Sequence, residues 1–143
     1  MNYNQIVTGI KTILESHPII KEVRFMTPQE WLLRDSQPVF PVALYNINTG
    51  SFGKGLSLDY TCTFWFLDKS GQEAEFETEV ISDQHSIALD IVNKLRNDAS
   101  GYLIDDSVTW NAVSEKYEDY LSGIEITINI NVVSEYGNCD FPV

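Results

Sequence analysis

The stretch from Ile124 to Val133 reads as a strand, in which apolar and polar residues alternate without a break as far as Val132. Ile124, Ile126, Ile128, Ile130 and Val132 are interleaved with Glu125, Thr127, Asn129 and Asn131. A period of two marks a strand with one face in a core and the other in water. It predicts an antiparallel sheet with helices packed on a single face. A different period governs Tyr3 to Ser16, where Ile6, Val7, Ile10, Ile13 and Leu14 fall at helical spacing. Asn2 is placed to cap that helix, and His17-Pro18 ends it, because proline pushes its predecessor out of helical geometry. A second helix is expected over about Asp83 to Asn97, capped by Ser82 or Asp83, with Ile87, Ala88, Ile91, Val92 and Leu95 as its buried stripe. Gly101 follows its end.

Shorter signals fill the gaps. Glu22–Met26 reads as a strand. Thr27-Pro28-Gln29-Glu30-Trp31 reads as a helical turn, with Thr27 as cap, Pro28 at the first position and Glu30 completing a capping box. Val39 to Tyr45 is a strand whose start Pro38 and Pro41 make irregular. Asn46 to Ser57 contains Gly50, Gly53 and Gly55 and reads as a long flexible loop. Ser107–Val113 is a further strand.

Leu58 to Leu67 is a strong strand, and Gln72 to Ile81 reads as its return after a Lys69-Ser70-Gly71 loop. That register pairs Phe66 with Ala74, Phe64 with Phe76, Cys62 with Thr78 and Tyr60 with Val80, so the apolar members share one side. The other side receives Thr61, Thr63, Trp65 and Leu67 beside Glu73, Glu75, Glu77 and Glu79. The expected architecture is therefore α+β: a mainly antiparallel sheet with a long β-hairpin and two helices on one face. Residues 1–133 form a single domain, and 134–143 an extended C-terminal tail.

With 143 residues, 43% of them hydrophobic, the chain can bury a core without disulfide or metal staples. Met1-Asn2-Tyr3-Asn4-Gln5 has no basic signal-peptide region, and no apolar run approaches a membrane span, so a cytosol-like compartment is expected. Cys62 and Cys139 show no Cys-x-x-Cys spacing and read as free thiols, with Cys62 buried. The net charge of −12 argues against nonspecific binding to nucleic acid. Its distribution is one-sided: residues 1–71 are neutral overall, while residues 72–143 hold 15 of the 21 acidic residues and three of the nine basic ones.

Few residues invite chemistry. Glutamates two apart on a strand make a row rather than the converging cage a hard cation needs. Glu73, Glu75, Glu77 and Glu79 therefore read as a solvated or lumen-facing acidic face, as an intersubunit salt-bridge row, or as a metal site. His17 and His85 lack the partners of a triad or a zinc motif. Gly50-Ser51-Phe52-Gly53-Lys54-Gly55 has the wrong spacing for a phosphate loop, and reads instead as a mobile loop whose candidate role is to order against a neighbouring subunit. Trp65, placed among glutamates, is either an interface anchor or a residue covered by Thr27–Leu33.

Three stretches carry a resemblance. They are Tyr60–Leu67 with its Glu-rich return, Ser82-Asp83 leading into Ile87-Ala88-Leu89-Asp90-Ile91, and Glu118-Asp119-Tyr120-Leu121-Ser122-Gly123-Ile124 entering the last strand. In this order they resemble the small tail-terminator and tail-completion proteins of tailed phages, which cap the tail tube and join it to the neck. The ending Asn138-Cys139-Asp140-Phe141-Pro142 is similar to the Cys-x-x-Pro tail of related small phage proteins. The resemblance implies a ring-forming homo-oligomer without enzyme activity or cofactor. It implies other tail and neck proteins as partners, DNA passing through a lumen without specific binding, no membrane, and assembly in the host cytoplasm into the virion. The rival reading is a cytosolic acidic binding module, an adaptor or inhibitor.

Overall fold

The structure, a computed structural model, describes residues 3–33, 39–55, 57–70, 74–97, 102–105, 107–113 and 121–133. In chain order the elements are α1 (Tyr3–Glu15), β1 (Glu22–Phe25), α2 (Pro28–Leu32), β2 (Val42–Phe52), β3 (Ser57–Lys69), α3 (Ala74–Asn97), β4 (Leu103–Ile104), β5 (Thr109–Val113) and β6 (Leu121–Val133). The fold is α+β. Six strands form one sheet in the order β1-β2-β3-β6-β4, with β5 also paired to β6. Every pairing is antiparallel except β1 with β2.

The main core lies between one sheet face and the helices α1 and α3. Ile6, Ile10, Ile13 and Leu14 of α1 are buried, as is the α3 stripe of Ile87, Ala88, Ile91, Val92 and Leu95. They pack on Tyr45, Cys62, Phe64, Phe66 and the even-numbered residues Ile124 to Val132 of β6. Tyr45, Phe64 and Ile126 stand in one row across three strands, and the Tyr45 and Phe64 rings stack at 6.3 Å. The opposite face carries a smaller core of Trp31, Val42, Leu44, Leu67, Val113 and Leu121, with α2 over it. Thr27 caps α2 as expected: its hydroxyl accepts the Glu30 N–H and donates to the Glu30 carboxylate. The Trp31 indole N–H donates to Glu22 on β1 at 3.0 Å. None of the helices among the described residues is long and apolar enough to cross a membrane.

Two expectations are overturned. Residues from Ala74 onward are not a return strand but the first turns of α3. Both edges of β3 are occupied, by β2 on one side and β6 on the other, so no edge remains for a third strand. As a helix, the segment adds Ile81 and Gln84 to the stripe that continues through Ala88. The expected opposition of Phe64 and Phe76 fails with it: Phe64 faces Tyr45 and Ile126, and Phe76 is exposed. The glutamate row disappears as well. Glu75, Glu77 and Glu79 lie on α3, while Glu73 and the expected turn at Gly71 lie outside the described residues.

The second correction concerns the Asn46–Ser57 loop. Its first seven residues continue β2, and Ser57 opens β3, so the long hairpin of this fold is β2–β3. A bulge interrupts it. Ile47 pairs with Cys62 and Thr49 with Thr61, leaving Asn48 as the extra residue. The Tyr3 hydroxyl donates to the Ile47 carbonyl beside that irregularity.

Gly123 marks a close crossing in the sheet. It pairs with Leu67, and a Cβ there would collide with the Phe66 carbonyl oxygen. Replacing Gly123 with Ala is expected to destabilise the fold by about 1–3 kcal/mol, the usual cost of overpacking. Ile128→Ala, which opens a cavity where the side chain is 1% exposed, should cost about 2–5 kcal/mol. Urea unfolding of both variants checks these values; a neutral Gly123→Ala would contradict the close crossing.

Candidate assembly surfaces

Beyond the bulge, the β2–β3 hairpin extends as an arm. Gly50 and Phe52 are in β2, and the chain turns through Gly53, Lys54 and Gly55 before Ser57. The Gly53 N–H donates to the Ser57 carbonyl at 2.9 Å to close the turn. Gly55 adopts φ +69°, the left-handed region that suits glycine. Phe52 is 92% exposed at this tip, and the Lys54 ammonium makes no ion pair with any described residue. At the base of the arm Tyr3 and Tyr60 approach to 6.2 Å. They line an open groove of about 300 Å³ together with Ile47, Leu58 and Phe52.

A second groove, also about 300 Å³, runs between α3 and β5. His85 meets Trp110 edge to face at 5.2 Å, and Leu89, Val92 and Val108 complete its apolar wall. Trp110 and Leu89 are half-exposed. The Arg96 guanidinium, at the far end of the groove, donates to the Asp105 carbonyl.

The solvent face of the first turns of α3 is a third surface. Phe76 is half-exposed there, and Glu79 and Asp83 are exposed beside it. This surface lies at the Lys69 end of β3, because the Asp83 charge acts on Asp68. Asp68 has its carboxyl raised above the ordinary value, first by burial and then by Asp83, while a hydrogen bond from the Lys69 N–H opposes the shift. Next to it the buried hydroxyls of Ser70 and Ser122 bond at 2.8 Å, tying the end of β3 to the start of β6.

The remaining candidates are built into the fold. Trp65 is half-buried, packed on the smaller core, and donates its indole N–H to Glu125 at 2.8 Å. Cys62 is buried in the main core, which pushes its thiol well above the ordinary range and keeps it protonated. Tyr45 is pushed up to about 12, by burial and then by the neighbouring Cys62, while its hydroxyl donates to the Val7 carbonyl. Cys139 lies outside the described residues. His17 has a partner that its sequence position did not announce: its Nε2 and an Asp90 carboxylate oxygen stand 3.0 Å apart. Its Nδ1 accepts the Ile19 N–H, so Nε2 carries the proton and donates. The pair clamps the end of α1 to α3. Among the described residues no group of three His, Cys, Asp or Glu converges as a metal site would require.

A comparison with protein-family models gives no match, and neither does a comparison with curated proteins.

The environment of Asp68 makes stability depend on pH in a stated direction. The folded chain holds this proton more tightly than the unfolded chain. Stability is therefore lost as pH rises through the window that starts at 3.8, the ordinary value. Asp68→Asn keeps an oxygen for the Lys69 N–H and removes the charge. The variant should have the higher urea midpoint at neutral pH, and its advantage should vanish below the ordinary value. A variant weaker than the parent at neutral pH would show that the carboxylate is stabilised instead.

Proposed function

We propose that this chain is a structural subunit of a tailed-phage virion, a tail-terminator, tail-completion or neck protein that assembles into a ring joining tail to head. In this reading it performs no catalysis, uses no cofactor, and meets its own copies and other tail and neck proteins; DNA passes through the ring without specific recognition. Assembly takes place in the host cytoplasm.

One observation carries the reading. The exposed aromatic tip at Phe52 and the exposed aromatic surface at Phe76 stand at opposite ends of β3, whose 13 residues span roughly 40 Å at the usual strand rise. Two unlike patches at opposite ends are what head-to-tail association requires, and such contacts close into rings when the rotation between copies allows. The resemblance in sequence adds support from Tyr60–Leu67, from Ser82-Asp83 entering the buried stripe of α3, and from the approach to β6. Its Glu-rich return strand no longer counts, since the chain is helical from Ala74 onward.

The exposed carboxylates Glu79, Asp83 and Asp90 on α3 favour the second reading, an acidic adaptor or inhibitor that meets a basic partner. Light scattering and electron microscopy of the purified chain separate the two. Closed particles of several copies are expected. A monomer at every concentration would remove the ring reading and leave the binding module.

A further inference from the structure

We infer that the contact between copies is made by the hairpin arm of one subunit, through Phe52 and Lys54, on the Phe76, Glu79 and Asp83 face of α3 in the next. The inference rests on the ring reading above and specifies its interface.

Charge selects this pairing. In a chain with net charge −12, Lys54 is the sole charged residue of the 50–55 tip, is exposed, and makes no ion pair with any described residue. Phe76, Glu79 and Asp83 are spaced three and four apart on a helix, so they share one face. That face offers an exposed ring flanked by two exposed carboxylates. The tip offers an exposed ring followed by an ammonium group. The two surfaces therefore match in both apolar and ionic character. The groove beside Trp110 matches less well, because its polar members are His85, Arg96 and Ser107, none of them a carboxylate for Lys54. Within one subunit the tip and the α3 face are held apart by the length of β3, so the match is satisfied only by a second copy. This assigns Glu79 to a subunit interface rather than to a lumen.

Light scattering on charge-reversed and ring-deleted variants tests the contact. Lys54→Glu alone, and Glu79→Lys with Asp83→Lys, should each reduce the particle to single chains, while all three substitutions in one chain should restore it. Phe52→Ser and Phe76→Ser should each be monomeric. Their equimolar mixture should stop at dimers, because only one intact tip can meet one intact face. Association of the parent should weaken with added salt, which screens exposed charges. All these positions are on the surface, so the circular dichroism of each variant should match the parent and separate lost contact from lost fold. A parent that is monomeric throughout removes the ring reading and this inference with it. A parent that assembles, with Lys54→Glu and Phe52→Ser still assembling, overturns this inference alone. Loss of assembly in Trp110→Ser but not in Phe76→Ser would do the same, by placing the contact in the α3–β5 groove.

Discussion

The pairing of β3 on both edges is the constraint on which the other elements depend. Its residues bond to β2 along one side and to β6 along the other, from the Ser57 end to the Lys69 end. Because side chains alternate, this double register also assigns faces. Cys62, Phe64 and Phe66 are committed to the layer beneath α1 and α3, and Trp65 and Leu67 to the layer beneath α2. A slip of one residue would exchange the two sets and bury polar groups in the main core. The close crossing at Gly123 fits this picture, since strands approach most tightly where a missing side chain permits it.

The parts of the fold written in local pattern were legible in the sequence. The α1 stripe, the α3 stripe from Ile87 to Leu95 and the long alternation of β6 need no knowledge of distant residues. The Thr27–Glu30 cap is equally local, and all of these match the structure. The segment from Ala74 to Ile81 reads as a strand because glutamates alternating with Ala, Phe, Thr and Val satisfy a period of two. What decides against a strand is non-local: β6, far along the chain, already holds the edge. The Asn46–Phe52 stretch failed for the opposite reason. From Thr49 to Phe52 it is exposed, so no buried face imposes an apolar period, and glycines give it the look of a loop.

The candidate surfaces divide in the same way. Phe52 and Lys54 stood out as members of a glycine-rich segment, but only the paired arm shows that they project from one end of the sheet. Phe76 was expected in the core, and its exposure follows from the helix that replaced the strand. Trp110 drew no notice, because a tryptophan in a short strand reads as core until the strand proves to lie at an edge beside an open groove. The clamp between His17 and Asp90 joins residues 73 positions apart, a separation that no spacing rule covers.

Asn48 has an effect out of proportion to its size. By inserting one position into β2 opposite an uninterrupted β3, it resets the parity of everything beyond it, so that Gly50 pairs with Tyr60 and Phe52 with Leu58. Were Asn48 instead paired with Thr61 in regular alternation, Thr49 would take the helix side and the Phe52 ring would turn to the other side of the sheet. The bulge thus lets β2 carry one residue more than β3 while Phe52, five positions on, keeps the side of the sheet that Ile47 occupies. Related chains that lack this extra residue would be expected to present the same outward face, whereas a one-residue change elsewhere in the arm, with no bulge to absorb it, would turn that face over.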